Sequence, residues 1–242
     1  MEYLTTSLPN WISFLFLIAI PIPVFLVAYF AKKGLLVFTT YRRATYYFYG
    51  IIGIYFLYFL GVTLACFKGA FANNTLPPRI MVLTALPLLA FYTIVLLNLP
   101  LTRRIIQEIP LSDLVRMHLF RLIGSFFVLM GLYGAVPKTF AFAAGFGDIT
   151  IALSSVWVAW TLTNKKEYAI KLTWFWNTLG LLDILMTSFL AFWFTKQSIE
   201  TGSLGVNVLT EFPFCFIPAF APATIIFLHL CIYRKLLAKP VA

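Results

Sequence analysis

The sequence predicts an all-α protein, a bundle of seven transmembrane helices with its amino terminus outside the cell and its carboxyl terminus in the cytoplasm. Three observations predict this fold. Of the 242 residues, 62% are hydrophobic and only 11% are charged, whereas about 25% of residues are charged in soluble domains. The mean hydropathy is +0.93, and apolar runs of about 20 residues, long enough to cross a bilayer, recur along the chain. Lysines and arginines are concentrated in alternate loops.

The apolar runs are separated by short loops rich in proline, glycine and polar residues. Each run is long enough to form one helix across about 30 Å of hydrocarbon. We expect residues 1–242 to form a single polytopic membrane domain. Prolines at positions 21, 23 and 222 remove backbone donors and predict kinks within their helices. The predicted helices cover residues 11–30, 47–67, 80–98, 117–135, 147–163, 172–194 and 212–233.

The orientation follows from the basic residues of the loops. One side of the predicted bundle has few of them: Lys68, Arg79, Lys138 and Lys196. The other side has many more, among them Lys32, Arg42, Arg103, Lys165 and Arg234. The richer side is expected to be cytoplasmic. The net charge of +10 then needs no nucleic acid, because the lipid bilayer is a sufficient partner for it.

The residues that point to a function are polar and lie inside apolar runs. A charged side chain at the bilayer centre costs about 2.5 to 3.5 kcal/mol on insertion scales, so it usually faces the bundle interior and has a partner. Helical spacing places these side chains on stripes that also contain glycines, which suits close helix contacts. The candidate ligand- or proton-binding residues are Arg121, Asp183, Asn177, His118, His229 and Asp148.

Arg121 and Asp183 are expected to form a coupled charge pair near the midplane. His118, Asn177 and His229 would line the cytoplasmic half, and Asp148 would stand at the outer entrance. Each residue also has a purely structural interpretation. Arg121 paired with Asp183 or Asn177 would fix which helices are neighbours. His118 would lie among lipid headgroups, and Asp148 would cap the amino end of the fifth helix.

The leading functional interpretation is a polar pocket that binds or passes a small ligand or a proton, in transport or in sensing. No catalytic residue and no metal ligand is predicted. One alternative is a b-type haem protein with His118 and His229 as axial ligands. A second is a membrane-embedded enzyme that modifies lipids, with Asp183 or His229 as acid or base. A retinal pigment is rejected because no lysine lies deep in an apolar run.

Two cysteines fall near the outer ends of their helices. Cys66 closes the second predicted helix and Cys215 opens the seventh, so their side chains are able to meet. They are interpreted either as free thiols, which behave as small hydrophobic groups, or as a disulfide.

Three motifs carry a resemblance to a known family. They are His118-Leu-Phe-Arg121, Ala144-Gly-Phe-Gly-Asp148 and Trp176-Asn-Thr-Leu-Gly-Leu-Leu-Asp183. Together with the stretch from Pro218 to His229, they resemble a family of bacterial multi-pass membrane proteins without an established function. The resemblance covers about the carboxyl-terminal half of the chain. It implies a polytopic inner-membrane protein and brings no activity, cofactor or substrate.

Overall fold

The computed structural model describes residues 8–71 and 75–238, and these residues form helices and connecting turns without a β-strand. Seven of the helical segments are long and apolar enough to cross a membrane. This is the architecture of a multi-pass membrane protein, as the sequence predicts. We label the segments α1 to α7: Asn10–Leu35, Tyr41–Phe67, Met81–Asn98, Leu111–Leu132, Lys138–Thr163, Ala169–Thr201 and Phe216–Leu237.

Several helices are longer than predicted. The fifth begins at Lys138, directly after Pro137, and not at residue 147. The sixth continues to Thr201, where Gly202 ends it in the left-handed conformation that glycine tolerates best. The fourth begins at Leu111, ahead of the apolar run, as expected from Pro110 followed by Ser112 and Asp113, and Asp113 lies in its first turn. Hydropathy identifies only the apolar part of a helix, so it does not predict polar turns at the helix ends.

Three of the spans depart from regular α-helix. The first is interrupted at Ile20, and Pro21 begins its second part, as the predicted kink requires. The third contains two π-helical segments, Met81–Ala85 and Phe91–Val95. The fourth contains a 3-10 segment, His118–Gly124. Such segments are rare in the middle of a helix, and where they occur they often mark a functional site.

Two helices form the centre of the bundle. In the most apolar stretch of each helix, 67% of α7 and 61% of α4 are buried within the bundle, against 11% of α2. Apolar side chains pack into two clusters along the bundle, one around Phe126 and Phe140 and the other around Val115 and Val158. Along α4 and α5, Arg121 and Asp148 lie between these two clusters. The polar residues are thus enclosed above and below by apolar packing.

Candidate functional site

The 3-10 segment of α4 sets the geometry of the site. In a 3-10 helix, residues three apart lie in line, one above the other. His118, Arg121 and Gly124 therefore form a straight row, and all three are buried. A run of seven residues is long for this type of helix. The row faces α5, α6 and α7.

Arg121 is the centre of the site, and its side chain is fully buried. Its Nε donates to Oδ1 of Asp148 at 2.7 Å. Its Nη2 forms an ion pair and a hydrogen bond with Oδ2 of Asp183. Its Nη1 donates to the carbonyl oxygen of Gly180 at 3.1 Å and lies 3.4 Å from Nε2 of His229. One guanidinium thus joins α4 to α5, α6 and α7.

Asn177 fixes the orientation of His229. The Nδ2 of Asn177 donates to the backbone oxygen of His229 at 3.2 Å, which leaves Oδ1 of the amide as the acceptor for Nδ1 of the ring at 2.8 Å. The proton of a neutral His229 therefore sits on Nδ1. Its Nε2 is then an acceptor, and it faces the guanidinium of Arg121.

His118 is the least satisfied member of the site. It is fully buried, and neither ring nitrogen has a hydrogen-bond partner. Its ring lies 4.2 Å from that of His229, centroid to centroid, and meets the Trp176 ring edge-on at 5.3 Å. Leaving a buried polar group unpaired costs about 1 to 3 kcal/mol. Such a group marks a place where water, a proton or a ligand gains a partner.

Three glycines allow these side chains to sit against a neighbouring helix. An added Cβ at Gly124 would collide with the carboxylate of Asp148, and one at Gly147 would collide with that of Asp183. At Gly180 it would come within 2.6 Å of Cε1 of His229. Each glycine therefore leaves the space that one ionisable side chain occupies.

The structure thus brings all six predicted residues into one connected group, which we call the Arg121 cluster. Its charges do not balance, because one guanidinium faces two carboxylates. Within residues 8–71 and 75–238, no lysine or second arginine forms an ion pair with either carboxylate. An unbalanced charge is costly in a medium of low dielectric constant.

A small cavity of about 30 Å³ borders the cluster, where Arg121 and Asp148 meet Thr187 and Pro222. About 10 to 15 Å³ of such volume holds one water molecule. The cavity thus has room for water between α4, α5, α6 and α7. It does not have the volume of a pocket for an organic ligand, which is about 300 to 1,000 Å³.

Three positional expectations are wrong. Asp148 neither caps a helix nor stands at the outer entrance, since α5 begins at Lys138 and encloses it. Gly145 and Gly147 lie inside α5 and allow close packing against Val128 and Asp183. His118 is not among lipid headgroups, because the 3-10 turn directs it inward.

The partner of Arg121 was only partly predicted. It pairs with Asp183, one of the two expected partners, and with Asp148, which was expected elsewhere. Asn177, the other expected partner, binds His229 instead.

The haem alternative does not fit this arrangement. Two axial imidazoles bind iron from opposite faces of the macrocycle, which must stand between the two rings. The rings of His118 and His229 contact each other at 4.2 Å. In addition, both nitrogens of His229 face partners within the cluster. We therefore assign no haem to these histidines.

Sequence reasoning missed two further polar contacts. Tyr55 and Tyr92 share a hydrogen bond of 2.5 Å between their hydroxyls, and Thr224 lies 3.4 Å from that of Tyr92. At the predicted cytoplasmic end, the buried Asp113 pairs with Lys33 at 2.5 Å. Both tyrosines lie in apolar runs, and nothing in the sequence indicates that their hydroxyl groups meet.

The fold and the cluster together define a class: a polytopic helical protein in which one buried arginine ties four spans together through two carboxylates. A family model described as Domain of unknown function (DUF8737) matches residues 77–237, and the chain belongs to this family. The match begins ahead of α3, so it extends beyond the carboxyl-terminal half that the motifs indicated. No curated protein and no solved structure matches the chain.

Proposed function

We propose that the Arg121 cluster is a proton-binding site, used in transport across the membrane or in sensing. The observation that carries the proposal is the pairing of one fully buried guanidinium with two carboxylates. With both acids ionised, the cluster has one negative charge too many. One bound proton makes it neutral, and neutrality is favoured strongly in a low-dielectric interior.

Asp183 is the group proposed to exchange this proton. Its side chain is 20% exposed, whereas that of Asp148 is 8% exposed and that of Arg121 is fully buried. His229 is a poor site for it, because a proton on Nε2 would face the guanidinium at 3.4 Å. An ionised His118 would have no acceptor for its two N–H groups.

The neighbours of the cluster support a route for the proton. The cavity lies beside α4 residues that follow Arg121 and α7 residues that precede His229, which is the outer half in the proposed orientation. His118 lies on the opposite, cytoplasmic side of Arg121. A proton would approach through water in the cavity and reach Asp148, which lines it. It would pass to Asp183 on the same guanidinium and leave past the two neighbouring histidines. The small size of the cavity favours a proton over an organic ligand.

The proposed orientation keeps the amino terminus outside and the carboxyl terminus in the cytoplasm, in the inner membrane of a bacterium. The distribution of lysines and arginines supports it. A reporter that fluoresces only in the cytoplasm, fused after residue 242, is expected to be bright. A fused reporter enzyme that is active only outside is expected to be silent, and the reverse result contradicts the orientation.

Infrared difference spectroscopy tests the bound proton. The wild-type protein is expected to show the C=O band of a protonated carboxylic acid that responds to pH and to deuterium. Asp183→Asn should remove this band. Glu200→Gln is the matched control, because Glu200 lies on the same helix and is 59% exposed. A wild-type spectrum without this band at any pH at which the protein stays folded refutes the proposal.

Proteoliposomes separate transport from sensing. A potassium diffusion potential, negative inside, should drive proton uptake that a trapped pH dye reports. In a transporter or channel, Asp183→Asn abolishes this uptake and Glu200→Gln preserves it. A wild-type protein that shows the infrared band without uptake is assigned to sensing.

A further inference from the structure

A pair of cysteines lies where the end of α2 meets the start of α7. Cys66 is partly buried, Cys215 is fully buried, and both are free thiols. Cys215 belongs to the apolar cluster around Phe126 and Phe140, and Cys66 packs against this cluster. The Sγ of Cys66 donates to the carbonyl oxygen of Thr210 at 3.4 Å, five residues before Cys215. The two cysteines therefore share one packed region, although 148 residues separate them in the sequence.

Aromatic packing holds the two chain segments together on both sides of the pair. Phe59 lies two helical turns before Cys66, and its ring packs against that of Phe216 at 4.9 Å. Phe67 packs against Phe212 at 5.2 Å. Phe216 and Phe67 are the sequence neighbours of the two cysteines. The surrounding aromatic packing thus holds the two cysteine-bearing segments against each other.

We propose that Cys66 and Cys215 form a reversible disulfide site, closed by exchange with a low-molecular-weight disulfide such as oxidised glutathione. The thiolate of Cys66 attacks one sulfur of the small disulfide, forms a mixed disulfide and releases one small thiolate. The thiolate of Cys215 then attacks the sulfur of Cys66 and releases the second small thiolate. The two cysteine protons end on the two small thiols, so two cysteines are oxidised and one disulfide is reduced.

The order of the two steps follows from the surroundings of each thiol. Cys66 is partly exposed and meets a small reagent first, whereas Cys215 is buried, and burial raises the pKa of its thiol. Cys215 therefore acts as the resolving partner, which needs to reach only its neighbour. In the proposed orientation this site faces outside the cell, where disulfides persist. The closed bond would tie α2 to the start of α7.

Counting free thiols tests the proposal on the full-length protein in detergent micelles. The protein is incubated folded with either a dithiol reductant or oxidised glutathione. It is then denatured and labelled with a maleimide polymer that shifts its mobility on a gel. The chain has three cysteines, so the reduced sample is expected to gain three labels and the oxidised sample one. A later dithiol treatment should restore three.

Two variants make the count specific. Cys231→Ser removes the third, buried thiol of α7, and is expected to give two labels reduced and none oxidised. Cys66→Ser should give two labels in both states. Three labels in oxidised wild-type protein overturn the proposal. So do a stable mixed disulfide with glutathione, seen as added mass, and a disulfide-linked dimer.

Discussion

Neutralising the two carboxylates of the Arg121 cluster one at a time and then together tests the charge count directly. Asp183→Asn removes the excess negative charge and keeps the shape of the side chain. We expect the free energy of unfolding to change by less than about 1 kcal/mol, because one carboxylate still pairs with Arg121. Asp148→Asn should have a similarly small effect, since Asp183 still forms an ion pair with Arg121. The double variant leaves a guanidinium that is 0% exposed without any anion, which costs about 3 to 5 kcal/mol.

The assay is reversible unfolding in mixed detergent micelles, followed by circular dichroism, on the wild type, both single variants and the double variant. The double variant should lose far more than the sum of the singles, with a coupling of about 1 to 3 kcal/mol. Glu200→Gln serves as the surface control. The contrary result is that each single variant costs about 3 kcal/mol or more and that the two losses simply add. The fold would then require both carboxylates in the ionised form, which contradicts an excess negative charge in the cluster.

The glycines and the Lys33–Asp113 ion pair give two further predictions, measured in the same assay. Gly180→Ala, which brings a Cβ within 2.6 Å of Cε1 of His229, should destabilise the protein by about 1 to 3 kcal/mol. Gly53→Ala is the control, because nothing lies within 4 Å of its new Cβ. It should be neutral or stabilise the protein by up to about 1 kcal/mol. Equal losses of stability in Gly180→Ala and Gly53→Ala would contradict the packing argument. Asp113→Ala should cost only about 0.2 to 1 kcal/mol, because the two cations that lose their partner, Lys33 and Arg116, are 47% and 45% exposed. A loss of about 3 kcal/mol or more would contradict this reasoning.

The existence of seven spans could be predicted because it depends on composition alone. Each apolar run exceeds the thickness of the hydrocarbon, and a backbone in lipid must satisfy its own hydrogen bonds by forming a helix. The kink at Pro21 follows equally from the residue, since proline has no N–H. Helix ends were less predictable. Residues after Lys138 continue α5 through two glycines, and hydropathy does not distinguish a glycine that packs from one that breaks a helix.

The identity of the polar residues was also predictable, but their contacts were not. The cost of a charge in lipid singles out Arg121 and Asp183 in any helical arrangement. Helical spacing put His118 on the stripe of Arg121, and its place at the start of an apolar run put it near the membrane surface. In the structure it is buried in line with Arg121, and its ring lies against that of His229. The sequence does not show which side chains of other helices meet that stripe.

The sequence by itself therefore determined the class of protein, the number of spans and the small set of side chains that lipid does not tolerate alone. Only the tertiary structure decided that Asp148 joins Asp183 on one guanidinium, that Asn177 orients His229, and that His118 is left without a partner. The physical reason is the range of the interactions. Burial in lipid acts on each residue separately, whereas ion pairing depends on which helices approach closely, and glycines far apart in the sequence allow that approach.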